Sequence, residues 1–295
     1  MLPMTTGSTL PRRLLARELR RARLEACVTA EVARNEIGVS KQTFWRMENG
    51  VQIRLNPLYI KRLCEVYELP TSLTRTLLGL VEETQTKAWW HGYDDALPSH
   101  GGLFVGLEEA AHHVISYQPT LLPGLVQTAD YRRAVTWMLH PNWPTADIET
   151  NVEVMARRQS RLTDSTNPLR FDVFIDETAL RRMASSTRVM ADQLTHLADL
   201  ARLPNVSVRV LSRTAGAYQG LLVGTFALLE FPPHPTAYLS EPPVVYVQGF
   251  TGDLYLERPE EIATYRAICI DLKRLALNEA DSRAHILDVA AEFTD

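Results

Sequence analysis

The stretch GVSKQTFWRMENG, residues 38–50, constrains the fold more than any other part of the chain. Gly38 and Val39 lead into Ser40, a residue type that caps helix N-termini, and Asn49-Gly50 is a helix stop signal. Phe44 and Met47 stand three residues apart and so share one face of the helix between those signals. Lys41, Gln42, Thr43, Trp45 and Arg46 are left for its other faces.

Four further helices are expected around it. Pro11 to Ala26 carries Leu14, Leu15, Leu19 and Ala22 at helical spacing, and Thr29 to Ile37 forms a second helix with Gly38 just past its end. Pro57 to Tyr67 begins with a proline suited to a first turn, and Ser72 is the expected cap of a fifth helix with Leu73, Leu77, Leu78 and Val81. A short helix, a tight turn at Gly38 and a second helix with a polar N-terminus make a helix-turn-helix, whose second helix fits the major groove of B-DNA. The net charge of −4 argues against a nucleic-acid partner, but its distribution reverses that. Residues 1–85 hold 13 Lys+Arg against 9 Asp+Glu, and the excess of acid lies wholly beyond them. A solvated arginine-rich helix face accounts for the same count.

Residues 14–81 resemble the Cro/phage-repressor (Xre) class of five-helix, lambda-repressor-like DNA-binding domains, chiefly through residues 38–50 and their ending Glu48-Asn49-Gly50. The resemblance implies that Lys41, Gln42 and Arg46 read base edges and that Ser40 and Thr43 meet the DNA backbone. It also puts Val39, Phe44 and Met47 in the core. The chemistry agrees, since Lys and Arg suit guanine and Gln suits adenine. Asn49 and Arg54 in the following loop, with Arg12, Arg13 and Arg17, are the expected phosphate contacts. The sequence departs from the pattern in three places. Ungapped alignment puts Arg34 rather than Ala33 at the small-residue position of the second helix, Ala30 replaces a glutamine, and Trp45 stands where a small or polar residue is usual.

Residues 1–10 read as a frayed tail, 11–83 as the helix-turn-helix domain and 84–104 as a linker or the start of a second domain. From 105 to 295 the pattern is mixed. Helices are expected at 107–115, 128–139, 147–162, 178–185, 189–202, 260–277 and 280–293. Strands are expected at 169–177, 205–212, 225–231 and within 244–257 around a Thr251-Gly252 turn. The expected fold class is α+β: an all-α N-terminal domain, then a mixed α/β domain with a small sheet backed by helices.

YQPTLLPGLVQTADYRRA (117–134), LRFDVFIDETALRR (169–182) and PPVVYVQGFTGDLYLERPEEI (242–262), with RQSRL (158–162) and 193–211 between them, resemble the DUF5753 domain of actinobacterial Xre-type regulators. Gln248 stands where many such chains have an acidic residue. The resemblance implies a sensing or partner-binding domain. Many regulators of this kind are encoded beside a small DUF397 protein, which makes an antitoxin-like regulator controlled by a small acidic partner the alternative reading.

Catalysis is not expected, and an enzyme with a DNA-binding arm is the least favoured of the three readings. No GxSxG, P-loop or GxGxxG pattern occurs. Glu108-Glu109 and His112-His113 have helical metal-ligand spacing but no second pair, so a helix-surface Glu–His pairing is expected instead. Asp176-Glu177 ends a strand and starts a helix, where an acidic cap explains it. Cys27, Cys64 and Cys269 form no CxxC and are expected as buried free thiols. No metal or cofactor is implied. Trp89, Trp90, Tyr93, Tyr117, Gln127, Tyr131 and Arg181 are the candidate ligand pocket, although simple core aromatics account for most of them.

The function expected is therefore that of a transcriptional regulator binding an operator in double-stranded DNA, as a homodimer, with a small-molecule effector or a protein partner as its signal. The first ten residues lack a basic stretch before an apolar one, and no apolar run spans a bilayer. A cytoplasmic, non-membrane protein is expected.

Overall fold

The computed structural model describes residues 9–85, 89, 90, 93, 101–234, 236, 239–249 and 252–294. Backbone packing divides the chain into two compact units. The first comprises Met1–Gly92, Val105–Ala110 and Pro232–Glu241; the second comprises Tyr93–Phe104, Ala111–Phe231 and Pro242–Asp295.

The first unit holds the five expected helices, α1 (Thr9–Glu25), α2 (Ala30–Glu36), α3 (Lys41–Glu48), α4 (Pro57–Val66) and α5 (Thr71–Thr84). α1 packs against α5 and α3, α2 against α3 and α4, and α4 against α5. Their apolar stripes meet in one core of Leu15, Leu19, Ala33, Phe44, Met47, Ile60, Leu63 and Leu77, all buried. α1 begins at Thr9, so the last two residues of the expected tail are helical, and residues 1–8 lie outside the description. The cap of α5 is Pro70 rather than Ser72, which falls inside the first turn. Ala33 is fully buried while Arg34 is half-exposed, so the small-residue position of α2 belongs to Ala33. Of the expected linker, only 84, 85, 89, 90, 93 and 101–104 are described.

Four of these helices stop in the same way. After α2 the Gly38 N–H bonds to Asn35 O at 3.2 Å and the Val39 N–H to Arg34 O at 3.1 Å, a Schellman motif with Gly38 at φ 67°. Gly50 takes the equivalent place after α3 at φ 65°, and Val51 bonds back to Arg46 O. After α1 and α4 the left-handed residue is not glycine: Cys27 has φ 56° and Glu68 φ 53°. Cys27 is also exposed, unlike the buried thiols Cys64 and Cys269.

The second unit is built on a six-stranded sheet. In chain order after α6 (Gly101–Ala110), its elements include β1 (His113–Gln118), α7 (Ala129–Leu139), α8 (Thr145–Gln159), β2 (Arg170–Asp176), α9 (Glu177–Arg181), α10 (Thr187–Leu200) and β3 (Val206–Leu211). Then come β4 (Phe226–Glu230), β5 (Val244–Val247), β6 (Leu254–Leu256), and two long helices, Pro259–Leu275 and Glu279–Ala291. The strand order is β3-β2-β1-β4-β5-β6. β1, β2 and β3 run parallel, joined by helical crossovers, and β4 to β6 are antiparallel neighbours. In its core Tyr117, Phe174, Phe226 and Leu228 pack with Ile268 and Leu272 of the helix Pro259–Leu275.

β1 takes the last three residues of the helix expected at 107–115. A helix does cover Gly101–Ala110, but His112 already bonds into the sheet, donating to Glu230 O at 3.0 Å and accepting from the Arg170 N–H at 3.1 Å. Val114, Ile115 and Tyr117 suit a strand paired on both edges, and a central strand outcompetes a helix extension. The expected turn at Thr251 lies outside the described residues.

Candidate nucleic-acid interface

α3 is held by its own caps and by its inner face. The Ser40 hydroxyl accepts the Thr43 N–H at 3.1 Å and pairs with the Thr43 hydroxyl at 2.9 Å, closing the first turn. Phe44 and Met47 are buried, 3% and 5% exposed. At the other end the Asn49 amide donates to Trp45 O at 2.7 Å.

Glu48 also faces inward. Arg23 of α1 grips it with two hydrogen bonds, Nε to Oε1 at 2.7 Å and Nη2 to Oε2 at 2.9 Å, while its third nitrogen donates to Val28 O at 3.0 Å. This pair raises the Arg23 pKa, chiefly through the hydrogen bond to Glu48. Sequence reasoning saw Glu48 as part of an ending and missed its partner. The signal was an arginine near the end of α1, lost among five others.

With Phe44, Met47 and Glu48 turned in, Lys41, Gln42, Trp45 and Arg46 are all exposed. At spacings of one and four residues they form one patch on the outer face of the helix. That face carries two cations and no carboxylate. Lys41, Arg46 and Arg54 make no ion pair among the described residues. The three expected base-reading residues are thus brought together, and Ser40 and Thr43 flank them at the N-terminus of α3.

The arginines of α1, three of them expected at phosphates, have protein partners. Arg12 is 9% exposed and donates to the carbonyls of Ile53 and Thr84. Burial pushes its pKa down. Arg13 and Arg17 converge on Glu241, at 2.6 and 2.7 Å, and Arg17 also donates to Ser240 O at 3.1 Å. Glu241 is buried, 6% exposed, so two guanidinium groups are what a carboxylate in that position needs. Arg21 likewise pairs with buried Glu18 at 2.6 Å.

The residues of the candidate pocket are divided between the two units. Trp89 and Trp90 belong to the first unit and meet edge to face, ring centroids 5.7 Å apart. In the second unit Gln127 donates to Leu122 O at 2.7 Å and the Tyr131 hydroxyl accepts the Leu122 N–H at 3.3 Å, so both brace a loop. Tyr117 is fully buried, its hydroxyl 3.0 Å from that of Tyr218, which donates to Asp176 at 2.7 Å. Arg181 pairs with Glu177 and with Glu292, the latter at 2.6 Å. Asp176 is the N-cap of α9, accepting the Thr178 N–H at 2.8 Å.

The expected Glu–His pairing on one helix is also corrected, because His113 lies on β1. One ring nitrogen is 3.0 Å from Asp172 of β2 and the other 2.9 Å from Glu230 of β4. Among the described residues no group of three or more His, Cys, Asp or Glu side chains is placed to hold a metal ion. No helix among them is long and apolar enough to cross a membrane.

Comparison with known families matches two successive stretches of the chain. Residues 14–77 match the model of a helix-turn-helix domain, and residues 102–288 match that of a domain of unknown function, DUF5753. No curated protein and no solved structure matches the chain.

Proposed function

The chain belongs to the DUF5753 family, and we propose that it is a sequence-specific DNA-binding transcriptional regulator of the Xre class, cytoplasmic and without enzymatic activity. Its helix-turn-helix domain contacts an operator, and its DUF5753 domain receives a small-molecule or protein signal. The observation that carries the reading is the outer face of α3. The arginines of α1 are largely neutralised by Glu18, Glu48 and Glu241, whereas Lys41, Gln42 and Arg46 stand together with no carboxylate beside them. These side chains have the donors that guanine and adenine edges accept. A pair of such helices one helical turn apart reaches specific affinity, so the acting species is a homodimer.

The test is a binding titration of the full chain against the DNA upstream of its own coding sequence, with random duplex of equal length as the control. Specific binding about a thousandfold or more above random DNA supports the reading. Equal affinity for both overturns it. Sedimentation of the free and bound protein reads the dimer.

A further inference from the structure

Trp45 has no structural task in the first unit. Its side chain is 57% exposed, and among the described residues it makes no ring contact and its indole N–H meets no acceptor. Tryptophan is among the residues most heavily buried on average, and an exposed one forgoes a large gain from burial. Its neighbours are functional in kind. Lys41 lies one turn before it on the same row, and Gln42 and Arg46 fill the adjacent row. The backbone beneath it is fixed, since Trp45 O accepts both the backbone N–H and the side-chain amide of Asn49, at 3.0 and 2.7 Å. A rigid helix therefore presents a large flat apolar surface between two cations.

The charge of the patch decides among occupants. A second copy docking this face on itself would set Lys41 and Arg46 against their own equivalents, with no carboxylate on the face to relieve them. A polyanion is the complementary partner. In the major groove each base pair offers hydrogen-bonding groups, and one base, thymine, also offers an apolar one, its C5-methyl group.

We infer that Trp45 reads a thymine in the operator by packing its indole against the C5-methyl group, adding a specificity contact to the three polar ones. The inference rests on the DNA-binding reading above. Lys41, Gln42 and Arg46 select by donors and acceptors. Trp45 selects by excluding water from one methyl, so it favours thymine over cytosine at a position the polar side chains do not read.

The experiment uses the full chain and a site selected from random duplex DNA. Each thymine of that site is replaced singly by uracil, which removes the methyl and leaves every hydrogen-bonding group. The parent protein is expected to lose about fourfold in affinity at one position, the worth of one buried methyl group. Trp45→Ala is expected to bind the parent site more weakly and to be indifferent to uracil at that position, while Trp45→Phe keeps part of the sensitivity. Trp45 is exposed, so these variants fold, and circular dichroism checks it. If the parent tolerates uracil at every position, or Trp45→Ala keeps the parent's uracil sensitivity, the inference is overturned while DNA recognition by Lys41, Gln42 and Arg46 stands. Trp45→Ala abolishing self-association instead would move the residue to a protein interface and overturn it too. Selection of no sequence at all removes both readings together.

Discussion

Arg23 and Glu48 join the first and third helices through two parallel hydrogen bonds, 2.7 and 2.9 Å long, with both side chains about nine-tenths buried. The pair fixes how the outward-facing helix sits on the rest of its unit. Bidentate arginine–carboxylate geometry is directional as well as strong, so it sets orientation where a single contact would only set distance.

Removing one partner leaves the other charged and buried. Glu48→Ala is expected to cost about 3 kcal/mol of stability, read from urea unfolding, at the lower end for a buried pair because a little solvent reaches it. Replacing both residues together, Arg23→Met with Glu48→Leu, is expected to recover most of that loss. The double variant should still bind DNA less tightly, since apolar packing does not restore the bidentate orientation.

The helix ends give a prediction of opposite signs. Glu68 holds φ 53° at the end of α4 and Cys27 holds φ 56° at the end of α1, a region that costs an L-residue roughly 1–2 kcal/mol. Glu68→Gly is expected to stabilise the protein by about 0.5–1 kcal/mol after the greater backbone entropy of glycine in the unfolded chain is subtracted. Gly38→Ala is expected to destabilise it by about 1 kcal/mol through the same strain, because no atom lies within 4 Å of the added methyl. Gly50→Ala should cost more, since its methyl also presses on Arg13 at 3.4 Å. Thermal unfolding of the three variants checks the order.

His113 sets a pH dependence in the second unit. Burial pulls its pKa down, but the hydrogen bonds to Asp172 and Glu230 outweigh that and the net shift is upward. Arg170 opposes the charge weakly, and Arg266 binds Glu230 from the other side at 2.6 Å. A folded pKa above the unfolded value of about 6.5 means the native state holds the proton more tightly. The stabilisation is therefore whole below about pH 6.5 and is lost as pH rises through the native value. The carboxylates act at the other end. The hydrogen bond from His113 leads in holding Glu230 at about 2, and Asp172 is also lowered, its burial being overcome by the bond to His113. Their contribution is present above about pH 4 and disappears as pH falls toward 2. Urea midpoints should peak between those limits, and His113→Gln should flatten the decline on the alkaline side.

Much of the first unit was legible because its signals are local. Ser40, Phe44, Met47 and Gly50 specify α3 within eleven residues, and each does in the structure what its type and spacing imply. β1 was not legible. Val114 and Ile115 continue a helical spacing, and the pairing with β2 and β4 that makes them a strand involves residues more than fifty positions away. The partners of the α1 arginines were hidden for the same reason. The arginine count is visible in sequence, but the carboxylate that neutralises Arg13 and Arg17 is Glu241, and nothing near it announces that Glu241 packs with the N-terminal helices. The candidate pocket was a list of suitable residue types, and residue type does not say which aromatics share a cavity.

That placement separates two kinds of arginine that sequence alone treats alike. A cation that touches phosphate releases counterions from the DNA, so its loss lowers the slope of log affinity against log salt by about one. Arg54 is exposed and makes no ion pair among the described residues, so Arg54→Ala should show that signature with its folding stability unchanged. Arg46→Ala should lose about 1–3 kcal/mol of binding and relax selectivity at one base pair, as a base-reading residue does. Arg17→Ala should do neither. It leaves Glu241 buried with one partner fewer, and the expected result is a lower unfolding midpoint with the salt slope of the parent. Titrations of the three variants at several salt concentrations, beside their urea curves, distinguish the roles. A reduced salt slope for Arg17→Ala would return that residue to the DNA surface.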